Sequence, residues 1–101
     1  MALLEISIMP LGTASTSLSA YVAGAVTELQ KEKNVKYEFS SMGTTIEGDL
    51  DTLLALARRM HETAFTAGAK RVVTTIKIDD RRDQAASIES KKKSVQKKLA
   101  R

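Results

Sequence analysis

Residues 2 to 9 alternate, with Leu4, Ile6 and Ile8 on one face and Leu3, Glu5, Ser7 and Met9 on the other. That is the period of a half-buried strand, and Pro10 and Gly12 are expected to end it. Thr13 to Ser17 is a hydroxyl-rich loop suited to capping a helix. Leu18, Tyr21, Val22, Ala25, Val26 and Leu29 then recur at helical spacing, and the pattern stops near Lys33-Asn34. Val35 to Ser41 alternates again, Ser41-Met42-Gly43 is a turn signal, and Thr44 to Gly48 forms the second arm of a hairpin. Asp49 and Asp51 stand where acids favour a helix start. The stripe Leu53, Leu56, Ala57, Met60, Ala64 follows, with Gly68 where a helix-ending glycine belongs. Residues 70–79 alternate as a fourth strand. After Asp80-Arg81-Arg82-Asp83 comes a last helix with Ala85, Ile88, Val95 and Leu99 on a narrow stripe.

The predicted strands cover about 2–9, 35–41, 44–48 and 70–79, and the helices about 17–33, 50–67 and 83–100. The order β-α-β-β-α-β predicts an α+β, ferredoxin-like sandwich occupying residues 1–101 as one domain. Its four-stranded antiparallel sheet would carry two helices on one face, with the C-terminal helix added. The expected core is Leu4, Ile6, Ile8, Val35, Tyr37, Phe39, Ile46, Val72, Ile76 and Ile78.

Composition narrows the class. A chain of 101 residues with 43% hydrophobic and 28% charged residues fits one globular domain. With no cysteine it has no disulfide, thiol nucleophile or thiolate metal site. No apolar run is long enough to span a bilayer. The N-terminus lacks the basic and cleavage pattern of a secretory signal, so the reading is cytoplasmic. The +4 formal charge is local: from Asp80 onward there are 8 basic and 3 acidic residues, against 8 and 9 before it.

The sheet face away from the core would carry Glu5, Ser7, Met9, Lys36, Glu38, Ser40, Thr45, Glu47, Arg71, Thr75 and Lys77. It reads as a solvated surface, an assembly surface or a ligand face. Glu5 and Glu47 should project from neighbouring strands, where a cationic ligand or Lys77 would relieve their repulsion. His61, the only histidine, sits inside a helix with no ordered acid nearby in sequence, which favours a structural role over catalysis. Asp79, Asp80 and Asp83 are interleaved with Arg81 and Arg82, which favours mutual salt bridges over a cation site. Lys91-Lys92-Lys93 and Lys97-Lys98 read as a solvated face, or as a weak contact for acidic partners. With aromatics at 4% and no Trp, an exposed stacking platform for nucleic acid is lacking. Nothing resembles an enzyme active site, and no metal or cofactor is expected.

Four ordered segments resemble the small thiamine-binding-protein family, the single-domain relatives of YkoF-type proteins. They are Ile8-Met9-Pro10-Leu11-Gly12, Ser17-Leu18-Ser19-Ala20-Tyr21-Val22-Ala23, Met42-Gly43-Thr44-Thr45-Ile46-Glu47-Gly48 and Ile76-Lys77-Ile78-Asp79-Asp80-Arg81-Arg82-Asp83. The resemblance implies a ferredoxin-like fold and a homodimer or homotetramer with paired or stacked sheets. It also implies binding of thiamine or its hydroxymethylpyrimidine part without turnover. Such a ligand needs a carboxylate for its charge, small hydroxyls for the pyrimidine edge and an apolar wall. Glu5, Ser7, Met9, Ser40, Thr44, Thr45 and Glu47 are the candidates, at the polar sheet face or a subunit interface. Ser17 and Ser19 follow, with helix capping as their alternative role. The competing readings are a self-associating interaction protein without a small ligand, and a nucleic-acid binder acting through the basic C-terminal helix.

Overall fold

The alternating segments become strands and the 3.6-period segments become helices in the computed structural model, which describes residues 1–13, 18–84 and 87–99. The elements are β1 (Ala2–Leu11), α1 (Ser19–Lys31), β2 (Lys36–Ser40), β3 (Gly43–Gly48), α2 (Leu50–Thr66), β4 (Arg71–Asp79) and α3 (Ile88–Leu99). Ser17 and Ala85 lie outside the described residues. The strands form one antiparallel sheet in the order β2-β3-β1-β4. This is the α+β architecture expected from the element order.

The core lies between the two central strands and the two long helices. Leu4 and Ile6 of β1 and Ile46 of β3 meet Ala25 and Leu29 of α1 and Leu53, Leu56, Ala57 and Met60 of α2. Full burial of each large aliphatic side chain contributes about 1.5–3 kcal/mol. Arg59 of α2 ties the helices together outside this core, reaching Glu28 at 3.7 Å and Glu32 at 3.1 Å on α1. α2 ends as expected at Gly68, whose φ of +108° favours glycine. The amides of Gly68 and Ala69 donate back to the carbonyls of Phe65 and Ala64, both at 3.0 Å.

Three features differ from the sequence expectation. Tyr37, Phe39, Ile76 and Ile78 face the helix side, yet they remain exposed. They stand on the edge strands β2 and β4, and the helices cover only the middle of the sheet. β1 also runs past Pro10 to Leu11. The pairing of β1 with β3 ends at Ile6↔Thr44, whereas its pairing with β4 continues to Leu11↔Arg71. A proline is tolerated where the strand has a neighbour on one side only. Finally, α3 starts at Ile88, and it has no buried residue.

Candidate small-molecule site

The mismatch in strand length creates the site. Beyond Ile6, the β3 side of β1 has no strand neighbour among the described residues. The β2–β3 turn stops short there, tightened by Ser40 Oγ donating to the Gly43 carbonyl at 2.9 Å. Gly43 approaches β1 closely: a Cβ at that position would lie 3.1 Å from the Ile6 carbonyl oxygen. Any side chain there would push the hairpin away from β1. The first half of α1 roofs the gap.

The result is a cavity of about 270 Å³ between α1, β1 and the hairpin. Ile6, Ile8, Val22, Ala25 and Met60 give it an apolar lining. Tyr21 and Phe39 supply aromatic faces. Met9 and Met42, both exposed, stand at its rim. Ser7, Ser40, Ser41 and Thr44 complete the lining, with Thr44 on the helix side of the sheet opposite Ile6. No Asp, Glu, Lys, Arg or His lines it among the described residues. Such a lining suits a flat heteroaromatic molecule: apolar walls hold the ring, hydroxyls meet its polar edge, and aromatic faces tolerate a positive charge. Methionines adapt to an irregular outline.

Four of the nine predicted site residues line this cavity: Ser7, Met9, Ser40 and Thr44. Glu5, Thr45 and Glu47 project from the opposite face of the sheet. There Glu5 is cross-strand partner of both Thr45 and Lys77. Its carboxylate lies 3.9 Å from Lys77 Nζ, an exposed pair. Glu47 has a different partner: its Oε1 accepts the backbone N–H of Ile88 at 2.8 Å. Glu47 is buried beside Leu3 and anchors the start of α3, while the N-cap itself is Ser87, whose Oγ accepts the Ser90 N–H at 2.9 Å. Ser19 opens α1, exposed and away from the cavity lining; Ser17 lies outside the described residues. Sequence reasoning missed Tyr21 and Phe39 as lining residues because their hydrophobic register assigned them to the core. Met42 had only a turn signal, and no periodicity could place it at a rim.

Elsewhere, His61 Nδ1 and Thr74 Oγ1 share a hydrogen bond of 2.6 Å that joins α2 to β4. Its ring meets Phe65 edge-on at 5.3 Å. Arg81 bridges Asp83 at 2.6 Å and Arg82 bridges Asp80 at 2.8 Å, the mutual pairs expected from the sequence. Those hydrogen bonds hold both Asp carboxyls below the ordinary value. On α3, Lys91 bridges Asp79, and Lys92 bridges Glu38 at 2.7 Å. The Glu38 hydrogen bond raises the Lys92 ammonium pKa. No described helix is long and apolar enough to cross a membrane.

Fold and cavity together define a class: a small α+β protein whose single sheet carries a largely apolar cleft beneath one helix. The comparisons with known proteins make this specific. The chain belongs to the thiamine-binding protein family, whose pattern matches residues 4–96. It is similar to a UPF0045 protein of Methanothermobacter thermautotrophicus, 51% identical over 96 residues, covering 94% of this chain and 96% of that one. It is also similar to the UPF0045 protein YqgV of Bacillus subtilis, 45% identical over 102 residues and 98% of each chain. Among solved structures, the hypothetical protein MJ1052 of Methanocaldococcus jannaschii matches with a TM-score of 0.85 and 39% identity, over 93% of this chain and 94% of that one.

Proposed function

We propose that this chain binds thiamine, or its hydroxymethylpyrimidine part, without turnover, as a self-associating protein, and that the ligand occupies the cavity beneath α1. The observation that carries the reading is the uncharged, aromatic- and hydroxyl-lined cleft in a member of a thiamine-binding family. An aminopyrimidine is a neutral flat ring with donors and acceptors on its edge. Ser40, Thr44 and the flank of β1 around Ser7 offer complementary groups, while Phe39 and Tyr21 offer faces. No carboxylate lines the cleft among the described residues. The pyrimidine is therefore the inserted half, with the thiazolium cation toward the rim, against aromatic faces and water. Glu5 and Glu47 on the opposite face are occupied by Lys77 and by α3.

Calorimetric titration with thiamine and, separately, hydroxymethylpyrimidine tests this. The expected result is saturable binding of both, weakened at least tenfold by Phe39→Ala and several-fold by Thr44→Val, with unfolding still cooperative. No heat from either compound at millimolar concentration would overturn the ligand assignment. Binding that both substitutions leave unchanged would move the ligand out of this cavity.

A further inference from the structure

The chain has four methionines and no cysteine, so all of its sulfur is thioether. Three of the four meet at the cleft. Met42 stands on the β2–β3 turn and is 85% exposed, and Met9 stands on β1 and is 51% exposed. They occupy the two sides of the gap that opens where the pairing of β1 with β3 ends. Met60 belongs to the same lining from α2, but it lies in the core at 1% exposure. Met1 is exposed at the other end of β1, in a second hollow with Asp49 and Arg82, and takes no part in this cleft. Solvent therefore reaches the two sulfurs at the mouth and not the one at the floor.

We propose that Met9 and Met42 form an oxidation site at which a peroxide closes the cleft to its ligand. This rests on the ligand-binding reading of the cleft given above and adds a regulation of that same site. The chemistry needs only a thioether and hydrogen peroxide. A lone pair of Sδ attacks one peroxide oxygen, an S–O bond forms and the O–O bond breaks. The sulfur gives up two electrons and becomes a sulfoxide. The peroxide takes them up and leaves as water, with both hydrogens on the departing oxygen. The consequence follows from polarity. A thioether is soft and apolar, and it adapts to a ring placed against it. A sulfoxide is polar, and its oxygen holds water. A ligand entering between two sulfoxides has to displace that water, and a polar group covered without a hydrogen-bond partner costs free energy. The mouth offers little in compensation. Ser40 Oγ already donates to the Gly43 carbonyl, and no cationic side chain lines the cleft among the described residues. The change is reversible, because sulfoxide reductases return each of the two sulfoxide epimers to the thioether.

The test treats the purified protein with hydrogen peroxide, locates the added oxygen by peptide mass spectrometry and titrates hydroxymethylpyrimidine before and after. That compound is the probe because it is neutral, so the S–O dipole offers it no charge attraction. Met42 and Met9 should take up oxygen ahead of Met60, and affinity should fall at least fivefold with the circular dichroism spectrum unchanged. Treatment with both sulfoxide reductases should restore it. Met9→Leu combined with Met42→Leu keeps side-chain volume. That variant should bind within threefold of the unaltered protein and lose nothing to peroxide, although Met1 is still oxidised. Unchanged affinity once Met9 and Met42 are both sulfoxides overturns the switch and leaves the ligand assignment standing. So does a double variant that peroxide weakens as much as the unaltered protein. An untreated chain that binds no ligand overturns both readings.

Discussion

Replacing Glu47 with Ala separates the roles of the two sheet faces. Glu47 Oε1 accepts the Ile88 amide at 2.8 Å, and the residue is only 6% exposed. The N-cap of α3 stays in place in this variant, because Ser87 Oγ accepts the Ser90 N–H at 2.9 Å. A hydrogen bond to a charged group contributes about 1.5–3 kcal/mol. With Ser87 still capping the helix, about 1–2 kcal/mol is the reasonable expectation. Among the described residues α3 is also tied by the bridges from Lys91 to Asp79 and from Lys92 to Glu38, with side chains about half exposed. Exposed pairs of this kind are screened by water and contribute little. Glu47 is therefore the main attachment of α3, and its removal should shift the docking equilibrium roughly 5- to 30-fold. Glu47→Gln keeps an acceptor and gives up only the attraction of the charge to the helix N-terminus, about 0.3–1 kcal/mol. Hydrogen exchange followed by mass spectrometry reads this directly. Peptides covering α3 should exchange faster in Glu47→Ala, less so in Glu47→Gln, while α2 peptides stay unchanged. Thiamine affinity should stay within twofold, because the cavity lies on the opposite face. Unchanged α3 exchange in Glu47→Ala would refute the anchoring role. A tenfold loss of affinity with unchanged exchange would return Glu47 to the ligand site.

Other outcomes follow from the packing and the charges. Leu4 of β1 is fully buried in the core with Leu29 of α1 and Leu53 of α2. Leu4→Ala should destabilise the fold by about 2–5 kcal/mol, read as a lower urea midpoint; an unchanged midpoint would mean that the core is centred elsewhere. Asp80 and Asp83 have carboxyl pKa values below 3.8, held there mainly by hydrogen bonds from Arg82 and Arg81. Depressed pKa values mean that these contacts are fully present above the ordinary value and are lost as pH falls through the lowered one. The sign is opposite for Lys92, raised above 10.5 by Glu38: its contact holds below 10.5 and is lost as pH rises through the raised value. Carboxyl NMR titration should place Asp80 and Asp83 below 3.8, with Arg82→Ala returning Asp80 upward. Ordinary values in the unaltered protein would dismiss the bridges.

Much of the fold was legible because period and topology agree. Each strand alternates over its length, each long helix carries one stripe, and β-α-β-β-α-β leaves few sheet orders to consider. What was not legible depended on distances between elements. Alternation says which face Tyr37, Phe39, Ile76 and Ile78 occupy, but not that two helices are too narrow to cover a four-stranded sheet. The polar face drew attention to Glu5 and Glu47 because carboxylates suit a cation. Nothing local to Glu47 reveals that the amide of Ile88, 41 residues later, claims it. The cavity was half legible. Ser7, Met9, Ser40 and Thr44 came from the right segments, yet the gap they share exists only because the hairpin is shorter than β1.

That geometry also separates the cavity from the open edge of the sheet. The cavity lies on the β3 side of β1, whereas the outer edge of β4 lies on its far side. Two strand spacings intervene, about 10 Å. Met9 is the shared neighbour: it stands at the cavity rim and is paired with Val73 of β4. The β1–β4 ladder stands between the cavity and the outer edge of β4. Self-association through that edge would leave the cleft intact, so thiamine affinity per chain should be independent of protein concentration. An affinity that falls in step with dissociation would refute this separation. It would mean that a second copy completes the cleft, and the rim at Met9 and Val73 would be the place to look for its contribution.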